Sequence, residues 1–227
     1  MYTLTAADFA DTGQWRLLLN IGFNGLEAFL ENTLHSGIEP QELCHVEWNV
    51  DRREVCKQLE EAVYNNPRLL DDFATRIVIF DSHAMFIPKD IAEESAGSEQ
   101  ELYRKLYDVE ARDVMTDSYA DVTSVWSLAP DVKNFLMRTF PGARITCSLM
   151  AAFRRAHEEK NLLDDENEPV LFEEVRLSDV DMLLFKGKQL LSASTHSYSK
   201  EKDIRELEKK IARAYGFDHE IMKIHKN

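Results

Sequence analysis

The sequence predicts a mixed α/β protein made of two tandem units, each running βββαβ. Three observations point there. Three strand-like runs between residues 15 and 50 feed an amphipathic helix and then a continuous apolar strand at 75–82. The same order of elements returns between residues 170 and 226, with little shared identity. The chain has 227 residues, 44% of them hydrophobic and 30% charged, enough for two small cores. The division falls near residue 110, giving units 1–110 and 111–227.

Residues 15–21 ("WRLLLNI") form a short apolar run ending at Gly22 and read as a buried strand. Residues 25–34 ("GLEAFLENTL") read as its hairpin partner, because Asn24-Gly25 tolerates the positive φ of a tight turn. "SGIEPQE" is a loop. In "LCHVEWNV" (43–50), Leu43, His45, Glu47 and Asn49 alternate against Cys44, Val46, Trp48 and Val50, as in a third strand.

Asp51 reads as the N-cap of the next helix, with Glu54 three residues on as in a capping box. Val55, Leu59, Ala62 and Val63 make its apolar stripe, and Pro67 lies just past its end. "TRIVIFDS" (75–82) is apolar without alternation, the mark of a strand covered on both faces. "MFIPKDIAEESAGS" reads as loop or short helix and "EQELYRKLYDVE" (99–110) as a helix. Residues 113–128 read as two strands around a polar turn. Pro130 opens a helix to about Thr139, closed by "FPGA", and "RITCSLMAAF" starts as a strand and turns helical.

Residues 158–168 ("EEKNLLDDENE") hold six acids against one lysine and read as a solvated loop. "VLFEEVRL" (170–177), "DMLLFKG" (181–187) and "KQLLSASTHSY" (188–198) then read as three strands. A helix follows from Ser199 with Asp203, Ile204, Leu207, Ile211 and Ala214 inward and Gly216 as its C′ residue. "HEIMKIHK" (219–226) reads as a closing strand.

Composition excludes several function classes. A net charge of −14 repels phosphate backbones, and no Lys/Arg-rich run offsets it, so nucleic acid is not an expected partner. No stretch reaches the ~18 apolar residues of a membrane span. The first residues, "MYTLTAADFADTG", have neither the basic start nor the apolar core of a signal peptide. Cys44, Cys56 and Cys147 are odd in number and form no CxxC, which fits reduced thiols and a cytoplasmic address. The seven histidines show neither HxH nor HExxH spacing, so no metal site is expected from them. Ser148 lies outside any GxSxG elbow, Cys147 reads as a buried thiol, and Trp48, Trp126, Phe135 and Phe140 read as packing residues.

Two βββαβα units in tandem resemble the plan of the actin-like ATPase fold, in which each unit is ribonuclease-H-like. The likeness is carried by "TRIVIFDSHAMFIP", a strand leading into an aliphatic-Pro motif, and by "LLSASTHSYSKEKDI", a strand ending in an aromatic before a helix opened by an acid. On these segments the chain resembles a family of uncharacterised Bacteroidetes proteins assigned that fold. The likeness covers most of the chain. The plan would add a final helix after "HEIMKIHK", where this sequence stops, so the expectation is either a second unit without that helix or an altered C-terminus.

The resemblance implies that the first hairpin of each unit faces a nucleotide's phosphates. In active members the first hairpin brings an Asp for the magnesium shell and glycines for close backbone approach. Here Gly22 and Gly25 are present beside Asn24, but Asn20 stands where the Asp is expected, and an amide brings no charge to a metal shell. The second hairpin, "RLSDVDML", has Asp179 and Asp181 and no glycine, and two carboxylates facing a triphosphate need a metal between them. The Gly-Gly pair of the adenosine pocket is missing too. Asp81, at the end of a buried strand, is the one candidate catalytic carboxylate, where open α/β sheets place their sites.

The expected function is therefore that of a non-catalytic actin-like-fold protein. It would act as a cytoplasmic interaction or scaffold module with degenerate phosphate loops, a protein partner and no cofactor. The alternative is a divergent ATPase binding ATP and Mg2+ through Asn20, Gly22, Asn24, Gly25, Asp179 and Asp181. A third reading, a metal-dependent nuclease built on Asp81, lacks a partner acid on the first strand.

Overall fold

Trp15, Leu17, Leu19 and Ile21 alternate with Arg16, Leu18 and Asn20, and this makes the first strand two-faced. The computed structural model describes residues 12–35, 38–50, 54–95, 97–109, 112–159, 162–165, 168–176, 179–220 and 222–226. Strand β1 (Trp15–Ile21) buries the first set and leaves the second half-buried. It pairs antiparallel with β2 (Gly25–Asn32), which pairs antiparallel with β3 (Gln41–Glu47). The expected third strand thus starts and stops earlier than 43–50, because Trp48 leaves the ladder to bond the first hairpin turn.

Helix α1 (Val55–Asn65) buries Val55, Leu59, Ala62 and Val63, as its stripe predicts. The Asp51 cap lies outside the described residues. The helix returns the chain to β4 (Thr75–Phe80), parallel to β1, and a parallel pair needs such a crossover. Then come β5 (Ala84–Pro88), α2 (Lys89–Ser95), α3 (Ser98–Tyr107), β6 (Asp113–Tyr119) and β7 (Val122–Leu128). Strand β5 corrects the expected loop or short helix at "MFIP": its five residues pair antiparallel with β7 before the chain turns helical at Lys89. Helix α4 (Pro130–Thr139) opens on its proline and leads to β8 (Arg144–Cys147), parallel to β4.

Helix α5 (Ser148–Glu158) follows directly, then β9 (Pro169–Val175), β10 (Asp179–Lys186), β11 (Gln189–Ser197), α6 (Glu201–Ala214) and β12 (Lys223–Lys226). Strand β12 is half the length read from "HEIMKIHK", since His219 and Glu220 lie in a turn. Asp203, expected inward on α6, is exposed; its carboxylate accepts the Ser199 and Lys200 N–H groups and caps the helix. Gly216, at φ +73°, sits just past the helix end as expected.

The chain divides into two compact units of interleaved segments. Met1–Ser82, Asp108–Met115 and Ser127–Cys147 form one; His83–Tyr107, Thr116–Trp126 and Ser148–Asn227 form the other. The sequence reading places a single cut at 110/111. The first unit holds a five-stranded sheet in the order β3-β2-β1-β4-β8. Its helices α1 and α4 pack together, the Tyr64 ring edge-on to Phe135 at 6.2 Å. The second holds a four-stranded sheet, β11-β10-β9-β12, that repeats the 3-2-1-4 order of the first. One of its faces packs on α5, where Phe153 stacks on Phe185 at 5.9 Å. The opposite face buries Leu171, Val180, Met182 and Leu184 against Ile204 and Ala212 of α6. A three-stranded sheet, β5-β7-β6, completes the architecture. Among the described residues, no helix is long and apolar enough to cross a membrane.

Candidate functional site

Strand register brings most of the first unit's candidates to one place. Asn20 lies opposite Ile79 and Ile21 opposite Phe80 in the parallel pair, so Gly22 comes level with Asp81 beyond the strand ends. The Asp81 N–H donates to the Ile21 carbonyl at 2.9 Å, and a Cβ added to Gly22 would stand 2.9 Å from Asp81 Oδ2. Asn20, Gly22 and Asp81 therefore share a face at the carboxyl end of β1 and β4, the site of ligands in open α/β sheets.

The turn itself is heavily committed. Gly22 N–H donates to the Gly25 carbonyl at 2.9 Å, closing the hairpin. Trp48 takes two carbonyls, its backbone N–H donating to Asn24 O at 2.9 Å and its indole Nε1 to Phe23 O at 2.8 Å. Gly25 is demanded by packing: a Cβ there would lie 2.6 Å from the Val46 carbonyl oxygen on β3. Gly25→Ala is expected to cost about 1–3 kcal/mol, since backbone must move. Gly22→Ala should cost under about 1 kcal/mol, because only the end of the Asp81 side chain has to swing. Urea melts of the two variants check this, and equal losses would contradict it.

Beside Asn20 runs a polar row that sequence reasoning missed. Glu27 lies opposite Asn20, and His45 opposite Glu27. The His45 imidazole sits 3.3 Å from Glu27 and 3.2 Å from Glu47. The Glu47 hydrogen bond, ahead of the opposing burial, holds its pKa above the usual value. Only the pairing of β1 with β2 and β2 with β3 puts these residues side by side. The sequence signal was the polar member at every second position of each run.

The second unit repeats the geometry with other chemistry. Val175 faces Val180 across its hairpin as Ile21 faces Leu26, so Glu174, Asp181 and Thr195 occupy the places of Asn20, Glu27 and His45. Leu177 and Ser178 of that turn lie outside the described residues. Asp181 is fully buried. Arg176 Nη1 donates to its Oδ2 at 2.5 Å, and Thr195 Oγ1 to its Oδ1 at 2.5 Å. Burial pushes the Asp181 carboxyl above the usual range, against the pull of the Arg176 charge and of Thr195. Glu174 is paired with Arg155 of α5. Asp179 stands at the half-buried start of β10 and accepts the Ser197 hydroxyl at 2.6 Å. In this hairpin each inward carboxylate is already met by an arginine.

On the opposite face of the same sheet sits a second cluster that sequence reasoning missed. Glu173 and Glu208 are buried, at 0% and 3% exposure. Lys226 Nζ lies 3.3 Å from Glu173 and 3.0 Å from Glu208, and His219 Nε2 lies 3.1 Å from Glu208. Burial, then the Glu208 charge, push Glu173 up to about 7, against the Lys226 charge. Glu208 also feels burial, but hydrogen bonds from His219 and Lys226 outweigh it and hold its carboxyl below the usual value. The signal was Glu208 itself, four residues from Ile204 and four from Ala212, on the inner face of α6. Among the described residues no group of three or more His, Cys, Asp or Glu is arranged to hold a metal ion.

Asn20, Gly22 and Asp81 thus come together at one sheet end, with Asn24 and Gly25 in the turn above. Asp179 and Asp181 belong to the other unit's hairpin and differ from each other, one half-buried on a serine and one buried on an arginine. The sequence profile of a family described as "Protein of unknown function (DUF3822)" matches residues 5–205. A crystal structure from Bacteroides thetaiotaomicron, described as a protein with actin-like ATPase fold and unknown function, superposes with a TM-score of 0.78 at 19% identity. The match covers 97% of this chain and 84% of that one. A PilM-PilN type IV pilus biogenesis complex and a Ppx/GppA phosphatase of Aquifex aeolicus each reach a TM-score of 0.42, at 14% and 8% identity. They cover 90% and 88% of this chain, which spans 66% and 64% of their lengths. No curated protein matches the sequence.

Proposed function

The chain belongs to the DUF3822 family and has the actin-like ATPase fold, and from that premise we propose that it is a non-catalytic member of the fold acting as a protein-interaction module. The observation that carries this reading is the fate of the second hairpin. Where an active member would meet phosphates, Arg176 and Thr195 consume the Asp181 carboxylate and Arg155 consumes Glu174. A carboxylate whose oxygens already accept from a guanidinium or a hydroxyl has its lone pairs engaged, and the fixed positive charge beside it repels a metal ion. Asn20 adds the same deficit in the first unit. On this reading the protein needs no cofactor, works in the cytoplasm and acts through a protein partner.

The divergent ATPase remains the second reading, and one arrangement favours it: Asp81 level with Gly22 at a sheet end, next to Asn20. ATP with Mg2+ would then rest on Gly22, Asn24 and Gly25, with Asp81 on the metal's side. A thermal-shift titration decides between the two. A ligand at 100 times its Kd adds about 2.7 kcal/mol, which in a chain of this size raises Tm by about 5–10 °C. Millimolar ATP with Mg2+ is expected to leave Tm within about 1 °C of the value without nucleotide. A clear rise that Gly22→Val abolishes would overturn the pseudo-enzyme reading in favour of the ATPase.

A further inference from the structure

Two strand edges of the second unit border a common groove. Strand β5 is an edge of the three-stranded sheet and β11 an edge of the four-stranded one. Both line a cavity of about 490 Å³, β5 through Ala84–Pro88 and β11 through Gln189–Ala193. Each contributes five consecutive residues. A strand shows only alternate residues on a face, so a wall of consecutive residues means that the groove runs along the strand edges. Edges present rows of N–H and C=O groups that a further strand can pair with. Ala84, Ser192 and Ala193 are small and leave that backbone within reach, while Met85, Ile87 and Leu191 supply apolar wall.

The groove also carries a sign. Of its described lining residues only Asp121 is charged at neutral pH. A backbone bond from Lys89 N–H to the Asp121 carbonyl, 2.9 Å, fixes this residue beside the Pro88 end of β5. Five extended residues span about 17 Å, and the cavity volume falls in the ordinary range of ligand sites. A second copy of this chain fits poorly, because each copy carries a net charge of −14.

We infer that this groove takes an extended segment of a partner protein as an added β-strand between β5 and β11, apolar at alternate positions and with a Lys or Arg beside Asp121. This rests on the reading of the chain as an interaction module and names the class of its partner. Backbone pairing along two edges gives the affinity, and the apolar pockets with the single carboxylate give the selectivity.

The test uses the full chain and a displayed library of random twelve-residue peptides, followed by synthetic fluorescein-labelled copies of the enriched sequences. Anisotropy titrations without nucleotide should give affinities that fall roughly tenfold or more in Ala84→Trp, which fills the groove from β5. Asp121→Asn should weaken binding roughly threefold and abolish the preference for a basic residue. Gln189→Trp fills the groove from the exposed start of β11 and replaces Ala84→Trp if circular dichroism shows the latter misfolded. Failure to enrich any peptide, equal binding by a folded groove-filled variant, or a dimer in sedimentation velocity that the same variant dissolves would each overturn the inference. The two proposals fail separately: a thermal shift with ATP and Mg2+ sinks the non-catalytic reading and leaves the peptide result standing, and the converse also holds.

Discussion

Arg176→Ala is expected to cost about 3–5 kcal/mol at neutral pH, the scale measured when one partner of a buried ion pair is removed. For a chain of this size that is a fall in Tm of about 6–20 °C. The reason is the partner left behind. Asp181 has no exposed surface, and a hydrogen bond such as that from the Thr195 hydroxyl cannot neutralise a charge. The sign with pH follows from the burial that already raises the Asp181 pKa. A raised carboxyl contributes stability below its unfolded pKa and loses it as pH rises through the folded value. Removing the guanidinium raises the folded value further, so the deficit of the variant should shrink on acidification. The double replacement Arg176→Met with Asp181→Leu removes both charges and should recover most of the loss. Urea melts at pH 5 and pH 8 read all of this. A single variant as stable as the parent at pH 8 would show that the pair is not what holds the β9–β10 hairpin.

The second large effect belongs to Glu173. Its pKa, about 7 in the folded chain against an ordinary 4.5, means that folding favours the protonated acid across that window. Stability from this group is present at pH 4.5 and drains away as pH rises to about 7. Glu208 acts oppositely, since its lowered pKa adds stability above the ordinary value and loses it in acid. Between pH 5 and 8 the loss from Glu173 outweighs the gain from Glu208, so the pair together costs about 2 kcal/mol over that range. Glu173→Gln mimics the protonated acid. It should match the parent at pH 5, exceed it by about 2 kcal/mol at pH 8 and flatten the curve between. If the variant were the weaker protein at pH 8, the Lys226 charge would outweigh burial and the assignment would be wrong.

Both effects sit where the sequence was hardest to read. The meanders at 15–47 and 169–197 were legible because apolar alternation and a Gly-bearing turn are local signals. Helices α1 and α4 were legible for the same reason, each with a stripe or an opening proline. Strand β5 was not: "AMFIP" has five residues, no alternation of polarity and a terminal proline, so nothing local separates it from a loop. The sites depend on register, which no window of sequence contains. Asn20, Glu27 and His45 form a row only through two ladders. Glu173, Glu208 and Lys226 meet only because α6 lies on the face that ends at β12. Asp181 was read as a phosphate-side candidate from "RLSDVDML", yet the first residue of that run, Arg176, is the group that occupies it.

The interleaving of segments bears on how the chain is born. The five-stranded sheet is complete only when β8, residues Arg144–Cys147, pairs with β4. A ribosome adds about 5–20 residues per second, so β4 is made several seconds before its outer neighbour exists. During that interval the nascent chain presents the β4 edge, with Ile77, Val78 and Ile79, as a template for the wrong strand. The stretch of translation most exposed to aggregation therefore closes when Cys147 emerges, and a pause anywhere between the codons for Phe80 and Arg144 lengthens it.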